Sequence, residues 1–147
     1  MTSEPQRGPG GVFELQYHVV WCPKYRNNLP EDVVQTVDTV LRSVCAAKDL
    51  DVRALTVMPD HVHLFVATKP DLSPAGLVKV LKGVSARLVF EKHPCLRDRM
   101  FTKGHLWSPS YYIGSVGHVS EETMKKYVET QKQRVLGRPR RRDSPPD

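Results

Sequence analysis

Several things are missing from this chain, and each absence narrows what it does. No run of about 18 consecutive apolar residues occurs, which excludes a membrane-spanning helix. The segment Met1 to Gly11 carries Pro and Gly but no apolar stretch of the kind a secretory leader needs, so a cytoplasmic location is expected. Cysteine is scarce. Cys22, Cys45 and Cys95 are odd in number and far apart, with no CxxC pair, which argues against a disulfide framework and against a zinc knuckle. They are expected to be reduced thiols, at least some of them buried. No internal repeat is visible. What is present suits one domain: 147 residues, 39% apolar, are enough for a single hydrophobic core.

The net charge is +6 and the pI about 9.4. Part of that excess sits in the run from Arg138 to Arg142, and the modest remainder suits a polyanionic partner. Residues 1–11 and 137–147 are rich in Gly, Pro, Arg, Ser and Asp and show no hydrophobic periodicity. They are expected to be disordered tails around an ordered domain at 12–136.

Within that domain the pattern is α+β. From Val12 to Cys22, Phe13, Leu15, Tyr17, Val19 and Trp21 alternate with the other residues, the period of a strand with one strongly apolar face. Pro30 and Glu31 open a helix to about Asp49, with Val33, Val37, Val40, Leu41 and Val44 on one stripe. Strands at Val52 to Val57 and His61 to Thr68 flank the turn Met58-Pro59-Asp60 and predict a hairpin. Ser73 and Pro74 start a second helix whose expected core stripe is Leu77, Leu81, Val84 and Leu88. Tyr111 to Ser115 reads as a short strand. Ser120, with Glu121 and Glu122, starts a last helix. The order β-α-β-β-α-β-α predicts a ferredoxin-like (split βαβ) antiparallel sheet with helices on one face, plus a C-terminal helix. In that arrangement the third strand lies centrally, beside the first.

Two pairs of residues carry chemistry. His61 and His63 are two apart on a strand, so both imidazoles share a face and can hold one divalent ion, while Val62 enters the core. Tyr127 and Gln131 are four apart on the last helix and share one of its faces. Each pair alone is weak: two surface histidines, or a Tyr-Gln pair on an amphipathic helix, are common. His18 alternates away from the apolar face of its strand, and a structural role and an approach to the histidine pair are both open. Asp60 is favoured as a turn former over a group that orients a histidine.

Together these residues fall into ordered blocks: Tyr17 to Arg26 (YHVVWCPKYR), Met58 to Leu64 (MPDHVHL), Leu81 to Gly83 with Ser85 to Arg87, Leu106 to Tyr112 (LWSPSYY), and Lys126 to Gln131 (KYVETQ). In these blocks the chain resembles the single-tyrosine HUH transposases, the small transposase A proteins of simple bacterial and archaeal insertion sequences. The resemblance covers about residues 13 to 136.

It implies a DNA transposase with Tyr127 as catalytic nucleophile and His61, His63 and Gln131 as protein ligands of Mg²⁺ or Mn²⁺. It further implies cleavage and rejoining of single-stranded DNA through a 5′-phosphotyrosine, recognition of hairpins at the element ends, and a homodimer in which the last helix can complete the partner's site. The catalysis would need no ATP, which agrees with the lack of a Walker motif. Lys24, Arg26, Lys79, Lys82, Arg87 and Trp107 are candidate DNA-binding residues. A domesticated relative that processes repeated palindromes in host DNA would carry the same site. A ferredoxin-like RNA-binding module is the non-enzyme alternative, since such modules present aromatics on the open sheet face.

Overall fold

The computed structural model of the chain describes residues 6–8, 11–24, 28–99, 101, 104–115, 126 and 128–130. Among them the elements run β1 (Gln6–Gly8), β2 (Gly11–Phe13), β3 (Leu15–Trp21), α1 (Glu31–Ala47), β4 (Asp51–Met58), β5 (His61–Thr68), α2 (Pro74–Lys92), α3 (Cys95–Arg99) and β6 (Tyr112–Ser115). The main sheet has the order β4-β5-β3-β6, antiparallel throughout. That is the expected ferredoxin-like sheet, with the histidine-bearing β5 between β4 and β3.

Alternation along the strands divides the sheet into two faces. Val19 and Trp21 of β3 and Val62, Leu64 and Val66 of β5 join one core with Val33, Val37, Val40, Leu41 and Val44 of α1 and Leu77, Val78, Leu81 and Val89 of α2. The β4 strand holds Val52 and Leu55, three residues apart, on the same packed side. A bulge between Val52 and Ala54 absorbs the extra residue, Arg53, and restores the register. The second helix is capped as its sequence predicts, Gly76 N–H donating to Ser73 Oγ at 3.0 Å. A Cβ on Gly76 would meet that oxygen at 3.0 Å, so glycine here keeps the cap seated.

Several expectations need correction. The strand predicted from Val12 to Cys22 is divided at Glu14 into β2 and β3. Residues 1–11, expected as a disordered tail, include β1, which pairs with β2 as Gln6↔Phe13, Arg7↔Val12 and Gly8↔Gly11. Backbone hydrogen bonds and the packing of Phe13 against Gly8 hold this ribbon, so no hydrophobic periodicity announces it. The α2 stripe drifts: Leu77 and Leu81 are fully buried, but Val78, Ser85, Val89 and Phe90 complete it, with Val84 and Leu88 only partly buried. The short α3 was not anticipated. Cys22 and Cys45 are buried and Cys95 is exposed, none of them in a disulfide, and burial pushes the Cys45 thiol up to about 11. No helix among the described residues is long and apolar enough to cross a membrane.

Candidate active site on the open sheet face

The face of the sheet turned away from α1 and α2 carries the candidate histidines. His61 and His63 stand on it, with Val62, wholly buried, on the other side. His63 lies opposite Val20 on β3 and Thr56 on β4; His18 lies opposite Phe65 on β5 and Gly114 on β6.

The two imidazoles of the pair are held differently. His61 Nδ1 lies 2.8 Å from Asp60 Oδ1. A carboxylate there fixes Nδ1 as the protonated nitrogen of a neutral ring and leaves the Nε2 lone pair for a metal ion. His63 is engaged through its distal nitrogen: Nε2 lies 3.0 Å from His18 Nδ1. His18 in turn stacks on Phe65, with ring centroids 4.5 Å apart and planes 11° from parallel. Burial lowers the His18 pKa from its usual value. Asp60 thus contacts His61 besides standing in the turn, and His18 contacts His63.

Residues near position 127 reach this face. Lys126 and 128–130 have helical backbone, and Thr130 Oγ1 donates to the Lys126 carbonyl at 2.7 Å. Val128 is buried against Val20 and Tyr112, both on the open face. Tyr127, Gln131 and Arg26 lie outside the described residues. Among the described residues no group of three or more His, Cys, Asp and Glu side chains is gathered to hold a metal ion. His61 and His63 fit as two ligands of such an ion, by donor type, shared face and the Asp60 contact, and a further ligand would have to be of another residue type or come from elsewhere.

The candidate DNA-binding residues separate. Trp107 is 6% exposed, donates from Nε1 to Ser85 Oγ at 2.9 Å and meets Trp21 edge-on at 5.9 Å. It is packed as a core residue, where DNA contact had been expected. Lys82 is half-buried in a structural position: its ammonium donates to the Ser108 and Ser110 carbonyls, the latter at 3.2 Å, and lies 5.8 Å from the Tyr111 ring centre. Burial lowers its pKa to about 8; Cys22 opposes that shift and Lys24 adds to it. Lys24 is buried, and its backbone N–H donates to the Leu106 carbonyl at 2.8 Å. Lys79 and Arg87 are exposed on α2, and Arg87 makes an i,i+4 ion pair with Glu91 at 3.3 Å. The sequence reading missed the Lys82 clamp. Its only trace was a lysine beside the buried stripe of α2.

The described elements form an antiparallel ferredoxin-like sheet with paired imidazoles on the face opposite α1 and α2, an α+β fold. The family model described as "Transposase IS200 like" matches residues 11–131. The ISDra2 transposase TnpA of Deinococcus radiodurans is 39% identical over 132 residues, covering 89% of this chain and 94% of that protein. The transposase for insertion sequence element IS200 of Salmonella typhimurium is 27% identical over 106 residues, covering 71% and 69%. A crystal structure of a candidate transposase from Deinococcus radiodurans superposes with a TM-score of 0.78 at 36% identity, covering 86% of this chain and 97% of that one. The chain belongs to the IS200-like transposase family.

Proposed function

We propose that this transposase cuts and rejoins single-stranded DNA at the ends of an insertion sequence, with Tyr127 as nucleophile and His61, His63 and Gln131 as ligands of Mg²⁺ or Mn²⁺. One observation carries the reading. His61 and His63 stand on the open sheet face, and Val128, next in sequence to Tyr127, packs on that same face against Val20 and Tyr112.

The Tyr127 phenolate attacks the scissile phosphorus. An O–P bond forms to tyrosine as the bond to the 3′ oxygen breaks, and that oxygen leaves as a 3′-hydroxyl after taking a proton. One phosphodiester replaces another, so the bond energy is kept and a later 3′-hydroxyl can reverse the step without ATP. A phenol with an ordinary pKa near 10 is mostly protonated at neutral pH, so a neighbouring base or cation is needed to activate it. When bound, the divalent ion would supply Lewis-acid polarisation of the phosphate and a fixed template for the reacting oxygens. Asp60 holds the His61 ring in the tautomer that ligation requires.

An alternative RNA-binding reading loses its main support on this face, because Phe65 is already stacked by His18. Hairpin recognition at the DNA ends and a homodimer with exchanged last helices complete the proposal. The test is to incubate the whole protein with Mg²⁺ and single-stranded DNA from the flanks of its own gene and look for a covalent adduct on a denaturing gel. The adduct is expected to vanish in Tyr127→Phe while DNA binding survives; an adduct that persists in that variant would overturn the assignment. Mixing His63→Ala with Tyr127→Phe subunits is expected to restore cleavage if the site is shared between subunits.

A further inference from the structure

The two histidines of the pair are unequally prepared for a metal ion. Residues two apart on a strand sit about 6.6 Å apart along the chain, while metal–nitrogen bonds are about 2.1 Å, so their ring tips must lean together. The distal nitrogen, Nε2, extends furthest from the strand and is the atom suited to that meeting. In His61 it is left open, because the carboxylate of Asp60 engages Nδ1. In His63 it is the atom bonded to His18 Nδ1 at 3.0 Å. A bond between two neutral imidazole nitrogens shares one proton. Either the His63 Nε2 lone pair accepts it, or Nε2 carries the hydrogen and offers no lone pair. Neither arrangement coexists with ligation through Nε2.

His18 is built to hold this position. Phe65 stacks beneath its ring and sets the plane, and its other cross-strand neighbour is Gly114, which presents no side chain.

We propose that His18 is a positioning residue that competes with the divalent ion for Nε2 of His63, so that His61 stands preset and His63 is released only when the ion arrives. The proposal rests on the metal-binding reading of His61 and His63. Before the ion binds, His18 keeps the His63 ring in one orientation on the open face. Ion binding breaks that bond and leaves His18 stacked on Phe65. The cost of breaking it lowers the apparent affinity of the site and makes occupancy responsive to ion concentration.

The experiment is a titration of the metal-free whole protein with Mn²⁺, free Mn²⁺ being followed by electron paramagnetic resonance. It compares wild type with His18→Phe, His18→Asn and His63→Ala. Phenylalanine keeps the stack and removes the nitrogen, and asparagine returns a polar group near the place of Nδ1. His18→Phe is expected to bind Mn²⁺ about three- to tenfold more tightly, the worth of one net hydrogen bond, and His18→Asn to return towards wild type. Side-chain ¹⁵N spectra of the metal-free proteins should show the His63 Nε2 signal moved in His18→Phe and that of His61 unchanged. Unchanged or weaker Mn²⁺ binding in His18→Phe, with His63→Ala still losing the ion, would overturn the role of His18 alone. Undiminished binding in His63→Ala would overturn the metal reading and the proposal with it. Should His18→Phe fail to fold, the decision falls to His18→Asn: a His63 Nε2 signal held at its wild-type position supports competition by hydrogen bonding, and a signal that shifts as a solvent-exposed ring does refutes it.

Discussion

The two faces of the central sheet are made from the same strands, residue by residue in alternation, yet they are organised on opposite principles. On the helix side, Val19, Trp21, Val62, Leu64 and Val66 pack with almost no exposure and almost no polar atoms. On the open side, His18, His61, His63 and Phe65 are partly exposed and linked by directional contacts. The first face supplies free energy and fixes the register. The second uses the register and buries a smaller apolar cluster, Val20 and Val128 with Tyr112. Because side chains alternate with period two, a slip of one residue in β5 would put both imidazoles in the core. Stability on one face therefore sets the position of the chemistry on the other.

Substitutions can break this comparison or sharpen it. The largest effect is expected from His63→Ala, which should remove DNA cleavage while changing the unfolding free energy by less than about 1.5 kcal/mol, since the ring is only partly buried and its bond to His18 has a small net worth; adduct assays and urea denaturation measure the two sides. Its counterpart one residue along, Leu64→Ala, should cost about 2–5 kcal/mol of stability through the cavity it opens. In that variant the activity that remains should follow the folded fraction. If His63→Ala unfolds the protein, or Leu64→Ala leaves its denaturation midpoint unmoved, the division between the faces is wrong.

Asp60→Asn should weaken Mn²⁺ binding by about 10–100-fold without loss of fold, because the amide no longer fixes the His61 tautomer. Trp107→Phe keeps a ring in the core but leaves Ser85 Oγ without the indole N–H, and should cost about 1 kcal/mol in thermal or urea unfolding. Its effect on DNA binding should be no larger than its effect on stability, as befits a buried ring. The smallest effect concerns Lys82. Its pKa is lowered to about 8, mainly by burial, so between that pH and the ordinary lysine value near 10.4 the unfolded chain binds more protons than the folded one. The contribution of Lys82 to stability should therefore rise with pH across that window. Lys82→Met should flatten the rise, as read from unfolding midpoints at pH 7.5 and 9.5.

Much of this was legible before any coordinates. The period-two patterns of β3 and β5 and the Ser73-Pro74 start of α2 follow from local rules, and so they fell where expected. The same alternation put His61 and His63 on one face. What escaped left no periodic signal in the sequence. The β1–β2 ribbon rests on backbone pairing and one glycine contact, which leave no hydrophobic signature. The bond from His18 to His63 crosses between strands 45 residues apart, and only the register reveals it. Asp60 looked like a turn residue because Pro-Asp turns are common, and its second task shows only in the 2.8 Å contact. Trp107 and Lys82 suggested nucleic-acid contacts by type alone; burial, which no local pattern announces for a loop, assigned them to the core and to a loop clamp.

The order of the elements along the chain has a bearing on how the protein is made. Synthesis runs from the N-terminus, so segments are made in chain order. All residues of β3 and β5, and both imidazoles with them, have been made once Thr68 is in place. Val128, which packs against Val20 and Tyr112, is made 60 residues after Thr68. Under the proposed role of Tyr127, a nascent chain that has not passed β6 would display the histidines without the residue proposed to attack DNA.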